Sequence, residues 1–222
     1  CPFPKKTNPE EFCLFRMKKL CYDIKKFPRK GTEVMSIDRL QEKIRKEKNV
    51  LMIDMTLCAS DLPPAVENGA GSRTEKLERF GKELLSGLKG MVPAIRFRMS
   101  LFALMGADGL DLLRELLKTA AAMKFYTVID LPLLLSVQDA VIAAESVFGE
   151  GGQYACDGAV VSAYPGTDVL KPFLPYCVEG KKDLFLLIRS SNRSASEMQD
   201  LLTGSRQVHA VGAELAERLG TD

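Results

Sequence analysis

The chain has a single histidine, His209, no C-x-x-C pair among its six cysteines, and a net charge of only +2 over 222 residues. Each scarcity closes off a class of function. With no cysteine pair at ligand spacing, and with His209 far in sequence from Cys1, Cys13, Cys21, Cys58, Cys156 and Cys177, no zinc site or other metal centre is expected. The thiols read instead as reduced, mostly buried side chains of a cytoplasmic protein. His209 lies in the helical pattern RQVHAVGAELAERLG and reads as a partly exposed surface residue rather than a catalyst. So small a net charge gives no reason to expect nucleic acid as a partner. No run of about 18 apolar residues is present to span a membrane, and no charged-then-apolar leader is visible.

What is present is enough apolar material, 46% of residues, to fill a sizeable core. Charge is uneven. Residues 1–34 carry nine Lys/Arg against four acids, so that this segment is +5 and the remainder −3. The shift suggests a basic N-terminal extension over 1–34 and a main domain over 35–222. The extension reads as a short helical appendage, PEEFCLFRMKKLCYDIKKF, whose Phe12, Phe15, Leu20 and Ile24 pack on the main body; a basic arm for an anionic partner is the alternative.

After Met35 the pattern becomes regular. SIDRLQEKIRKEK spaces Ile37, Leu40 and Ile44 as one helical face behind a Ser36 cap, and NVLMIDM follows as an apolar run ending on acid. SRTEKLERFGKELLSGLKG opens with a Ser72/Glu75 capping box. The alternation continues through strand VPAIRFRM, helix DGLDLLRELLKTAAAMK, strand FYTVID, a helix from about Val137 to Phe148, strand DGAVVSAY, a helix near TDVLKPFLPYC and strand DLFLLIRSS. A second Ser-x-x-Glu box, Ser194 and Glu197, predicts another helix, and RQVHAVGAELAERL closes the pattern. Apolar strands separated by amphipathic helices predict an α/β fold with a parallel sheet. Five strands are visible, whereas a complete eight-stranded barrel usually needs roughly 250 residues. The expectation is therefore a TIM-barrel-like fold that is partial or open unless other residues or a partner complete it.

Polar residues gather where such folds keep their chemistry, at the C-terminal ends of strands. In chain order they are Asp54; Arg96 and Arg98; Asp130; Ser162 and Tyr164; then Arg189, Ser190, Ser191 and Asn192. The segments MSIDRLQEKIRKEKNVLMID, VPAIRFRMSLFALMGADGL, YTVID, DGAVVSAYPGTDVLKPFL and DLFLLIRSSNRSASEMQDL together resemble the long, bacterial-type branch of the orotidine 5′-phosphate decarboxylase family. The resemblance implies a TIM-barrel enzyme that makes uridine monophosphate in pyrimidine biosynthesis, without a cofactor.

Carried over residue by residue, it makes Asp54 the acid that ends the first strand and puts Arg96 where a lysine ends the second. Asp130 is the first acid of a D-x-K-x-x-D motif, in which Pro132 replaces the proton-donating lysine and Leu135 the second acid. Ser191, Asn192 and Gln199 fall at substrate-binding positions; Tyr164 and Gly166 are kept, while Ser162-Ala163 replaces the usual Asn-Pro. The phosphate-gripping loops after the seventh and eighth strands are not expected in this chain, and GEGG at Gly149 to Gly152 reads as a turn at the opposite end. The resemblance thus implies a decarboxylase-like protein impaired in the family reaction, a non-catalytic subunit, or an enzyme of altered specificity using Asp54, Arg96 and Asp130. Implied partners are a pyrimidine nucleotide or other small anion, and a second copy or a paralogue against which Leu133, Leu134 and Leu135 could bury themselves.

Overall fold

The computed structural model of the chain describes residues 36–57, 62–179 and 182–220. The basic segment 1–34 and its expected helix lie outside the described residues. The elements run α1 (Ser36–Glu47), β1 (Met52–Met55), α2 (Pro64–Glu67), α3 (Arg73–Leu88), β2 (Ala94–Arg98), α4 (Met99–Ala103), α5 (Ala107–Ala122), β3 (Tyr126–Asp130), α6 (Val137–Phe148) and β4 (Gly158–Ser162). They continue with α7 (Leu174–Val178), β5 (Asp183–Leu187), α8 (Ala195–Met198), β6 (Leu202–Thr203), β7 (Arg206–Gln207) and α9 (Val208–Leu219).

The five apolar runs pair as one all-parallel sheet in the order β1-β2-β3-β4-β5, which is also their order in the chain. Side chains alternate across a strand, so the pairing register decides which residues share a face. One face presents Ile95, Phe97, Ile129, Ala159 and Val161, and these are buried with Leu77 and Leu85 of α3, Leu112, Leu113, Leu116 and Leu117 of α5, and Ala140, Ala144 and Val147 of α6. The other face presents Ala94, Tyr126 and Val128, which pack on Leu40 of α1, with Ile37, Ile44, Met52, Val160 and Phe185 around them.

Polar contacts fasten α1 to this second face at the N-terminal end of the strands. Arg39 pairs with Asp157, whose Oδ2 accepts from the backbone N–H of Thr127 at 2.8 Å and from its hydroxyl at 3.1 Å. The Tyr126 hydroxyl donates to Asp183. Burial, and then the neighbouring Asp183 carboxylate, pushes the Tyr126 phenol up; burial likewise pushes the Asp183 carboxyl up. Both described cysteines are free thiols held protonated by burial, Cys156 pushed up to about 12 and Cys177 to about 11.

The Ser72/Glu75 capping box is present, with both reciprocal bonds made. GEGG falls in the turn between α6 and β4, at the N-terminal end of the sheet. Other expectations need correction. Ser36 is the first residue of α1 rather than its cap. TDVLKPFLPYC forms two 3-10 turns and the five-residue α7 rather than one helix, because Pro172 and Pro175 each remove a backbone donor. Ser194 makes no side-chain cap bond, and the helix it precedes lasts four residues before the β6-β7 hairpin. Leu134 is buried, so of Leu133, Leu134 and Leu135 only Leu133 and Leu135 are exposed.

Among the described residues β1 and β5 each pair on one side only, so the sheet is open, as the strand count predicts. Burial falls off toward β5, none of whose residues is buried, and α9 has no buried residue either. No helix of the described residues is long and apolar enough to cross a membrane.

α4, which directly follows β2, is seated on α5 at Gly109. A Cβ there would lie 2.1 Å from the Phe102 carbonyl oxygen and 2.6 Å from the Met105 Cβ. Gly87, exposed in α3, would meet nothing within 4 Å. Gly109→Ala is expected to lower stability by about 1–3 kcal/mol through overpacking. Gly87→Ala is expected to raise it by up to about 1 kcal/mol through helix propensity. Urea unfolding of the two variants checks both signs.

Candidate functional site at the C-terminal end of the sheet

The in-register pairs Asp54↔Arg96 and Arg98↔Asp130 place four charged residues on the α1-facing side of β1, β2 and β3, at its C-terminal end. Arg96 Nη2 donates to Asp54 Oδ2 at 2.8 Å, and Arg98 Nε donates to the same oxygen at 2.9 Å, with Arg98 Nη2 also 2.9 Å away. The Asp54 and Arg96 side chains are 23% and 24% exposed, whereas Arg98 is 42% exposed and open to a ligand. The second oxygen of Asp54, Oδ1, is buried without a hydrogen-bond partner. An orphaned buried acceptor of this kind costs about 1–3 kcal/mol, and such costs concentrate at functional positions.

Asp130 completes the cluster. Burial pushes its carboxyl pKa up; Arg96 and Arg98 oppose the shift, and Asp54 adds to it. Beyond Asp130, buried Leu131 donates its N–H to the Val160 carbonyl and Pro132 is exposed. The motif positions therefore hold an exposed proline ring and, at Leu135, an exposed leucine. Chemically, the cluster can bind and stabilise negative charge. A guanidinium keeps its proton under ordinary conditions and is a poor proton donor.

The sequence-predicted binding residues stand apart from this cluster. A cavity of about 500 Å³ opens at the C-terminal ends of β4 and β5 under α9, lined by Leu133, Tyr164, Leu187 and Val211 among others. Gln199 lines it, but of Ser190, Ser191 and Asn192 only Ser190 is among its walls. Gln199 Oε1 accepts from the Ser190 N–H at 2.8 Å, Gln199 Nε2 donates to the Ser190 hydroxyl at 2.6 Å, and that hydroxyl donates to Asn192 Oδ1 at 2.6 Å. Asn192 thus supports the wall from outside. Below it, Arg189 grips Asp200 at 2.8 and 2.9 Å, and half-buried His209 places Nδ1 3.2 Å from Asp200 Oδ1.

Two residues that the sequence placed at strand ends without a role, Arg98 and Ser190, gain one here. Arg98 was legible from alternation alone, standing two residues after Arg96 on one strand and hence on one face. Ser190 was not, since adjacent serines at a strand end differ only in the bonds they make. Among the described residues no group of three or more His, Cys, Asp or Glu could hold a metal ion.

Asp130 gives a signed prediction. Its folded-state pKa is raised, so its contribution to stability is present below its ordinary value of 3.8 and is lost as pH rises through the folded value. Asp130→Asn removes this loss. The stability of the variant relative to the parent should therefore increase from acid toward neutral pH, as read from urea midpoints, and a constant difference would contradict the assignment.

No protein-family profile matches the chain. Among curated proteins, it is 24% identical over 169 residues to the orotidine 5′-phosphate decarboxylase of Clostridium kluyveri, a match covering 76% of this chain and 57% of that protein. It is 26% identical over 186 residues to the same enzyme of Petrotoga mobilis, covering 82% and 63%. The chain thus spans about three-fifths of the length of these relatives. Among solved structures, Plasmodium berghei orotidine 5′-monophosphate decarboxylase superposes with a TM-score of 0.68 at 15% identity, over 83% of this chain and 70% of that one. Leishmania donovani UMP synthase does so with 0.66 at 24%, over 83% and 37%. These neighbours are TIM barrels, and the parallel sheet with alternating helices described above is the matching part of that fold. The parallel α/β fold and these similarities agree: the chain is a relative of the orotidine 5′-phosphate decarboxylases.

Proposed function

We propose that this is a cytoplasmic decarboxylase-like protein of pyrimidine nucleotide metabolism that binds a pyrimidine nucleotide or a related small anion at the C-terminal end of its sheet and is impaired in decarboxylation. The observation that carries the reading is the loop after β3. Asp130 is kept, while Pro132 and Leu135 replace the amine and the second acid that the family resemblance calls for. Decarboxylation leaves a carbanion that needs a nearby cation and then a proton in a site that excludes water. Asp54, Arg96 and Asp130 retain charge for the first demand. Neither arginine meets the second, and a positioned general acid contributes about 10²- to 10⁴-fold.

The purified chain is accordingly expected to turn over orotidine 5′-monophosphate at least about 10²-fold more slowly than the Clostridium kluyveri relative assayed beside it. Turnover at the rate of the relative would sink the impaired reading. The cavity beside Ser190 and Gln199, with Asn192 behind them, supports retained binding of a flat heterocycle, since it combines apolar walls with a few fixed polar groups.

A second reading, an interaction subunit, rests on the same loop. Leu133 and Leu135 are 55% and 70% exposed, and Val137 and Val141 of α6 are 50% and 48% exposed. Exposed apolar residues grouped in this way favour association, and a second copy is the simplest partner. Leu135→Asp is expected to halve the mass measured by light scattering, and an unchanged mass for a folded variant argues against the interface. Leu134 is unsuitable for this test because it is buried.

A further inference from the structure

We propose that the basic N-terminal segment, residues 1–35, covers the open flank of β5. This inference stands apart from the ligand reading above and concerns an interaction surface at the side of the sheet.

The path of α1 points to the place. At the N-terminal end of the sheet, Asn49 donates to the Met91 carbonyl ahead of β2 at 2.7 Å, Lys43 to the Lys124 carbonyl ahead of β3, and Arg39 to Asp157 ahead of β4. Buried Ser36 faces Tyr126 and Asp183, the first residue of β5. Adjacent strands lie about 4.8 Å apart and a helix rises about 1.5 Å per residue, so one strand is crossed for about every three residues. The contacts of Lys43, Arg39 and Ser36 keep that pace from β3 to β5. Carried on past Ser36, the axis of α1 leaves the sheet over the flank of β5, which among the described residues pairs with β4 alone.

That flank is apolar and unguarded. None of the residues Asp183–Leu187 is buried, Leu187 is 41% exposed, and Val178 at the end of α7 is 77% exposed. Exposed strand edges are ordinarily protected by lysine or proline; Leu184–Leu187 contains neither. Exposed Glu179 adds an acid beside Val178. The N-terminal segment has the matching character, with Phe12, Phe15, Leu20 and Ile24 to bury and a charge of +5 over residues 1–34 against −3 for the remainder. At about 3.3 Å per residue the five residues of β5 span about 17 Å, a length that about 12 helical residues already cover. Being tethered beside the flank, the segment meets it at a far higher effective concentration than a second copy does.

Hydrogen exchange of the full chain, read by mass spectrometry, tests this. Phe15→Asp combined with Leu20→Asp should speed exchange of the β5 amides at least about tenfold, the scale of one buried apolar side chain lost. Exchange in β2 and β3 should stay as in the parent, which also establishes that the variant is folded; Leu20→Ser takes its place if it is not. Unchanged exchange in β5 of a folded variant overturns the proposal. Carbodiimide coupling of a mixture of light- and heavy-nitrogen chains then identifies what lies on the flank. Links from Lys18 or Lys19 to Glu179 within one chain are expected, and they should disappear in the variant. Links that join a light chain to a heavy one assign the flank to a second copy and overturn the proposal, as does the absence of any link to Glu179.

Discussion

Every functional feature of this protein depends on the register of three parallel strands. Pairing Asp54 with Arg96, and Arg98 with Asp130, sends four charged side chains to one face. A slip of one residue on β2 would turn both arginines into the layer now filled by Ile95, Phe97 and the leucines of α5. The apolar layer therefore specifies the polar one. Helices α3, α5 and α6 fix which side of each strand is buried, and the charges take the side that remains. At the other end of that side, α1 is held by Arg39 and by the packing of Leu40, so that polar chemistry is left to the C-terminal end.

Within the cluster, charge and proton supply are separated. A single oxygen of Asp54 organises two guanidiniums, which fixes cations near Asp130 without offering a group that can give up a proton near neutral pH. In a lysine-bearing motif one side chain performs both tasks. The loop from Pro132 to Leu135 carries no titratable side chain, with Leu134 folded inward and Leu133 and Leu135 facing solvent. The same short segment thus carries both the argument against the family reaction and the argument for a partner.

Much of this was legible in the sequence because buried parallel strands read as unbroken apolar runs and their ends read as charge. All five strands, the Ser72/Glu75 box and the grouping of Asp54, Arg96 and Asp130 follow from those two signals. Where the sequence misled, a local signal was overridden. Ser194 and Glu197 have the spacing of a capping box, but Gln199 is engaged with Ser190 and the chain turns into the β6-β7 hairpin before a longer helix can form. The prolines in TDVLKPFLPYC break an apolar pattern that spacing alone assigns to one helix. The inward turn of Leu134 and the choice of Ser190 over Ser191 are tertiary outcomes with no local signature.

The order of the strands in the sheet has a further consequence, for how the molecule is assembled. Because β1 to β5 are neighbours in space in the order in which they are synthesised, each can dock on the one before it as the chain emerges, and no strand must wait for a distant partner to close a long loop. The sheet can grow from one side during translation. Among the described strands of this sheet β5 follows β1 to β4 and lies on the least buried flank, and α9 adds no buried residue to shield it. Within this sheet β5 is thus the strand whose amides should exchange first with solvent, an opening far smaller than global unfolding, and it occurs beside the cavity rather than beside the paired arginines.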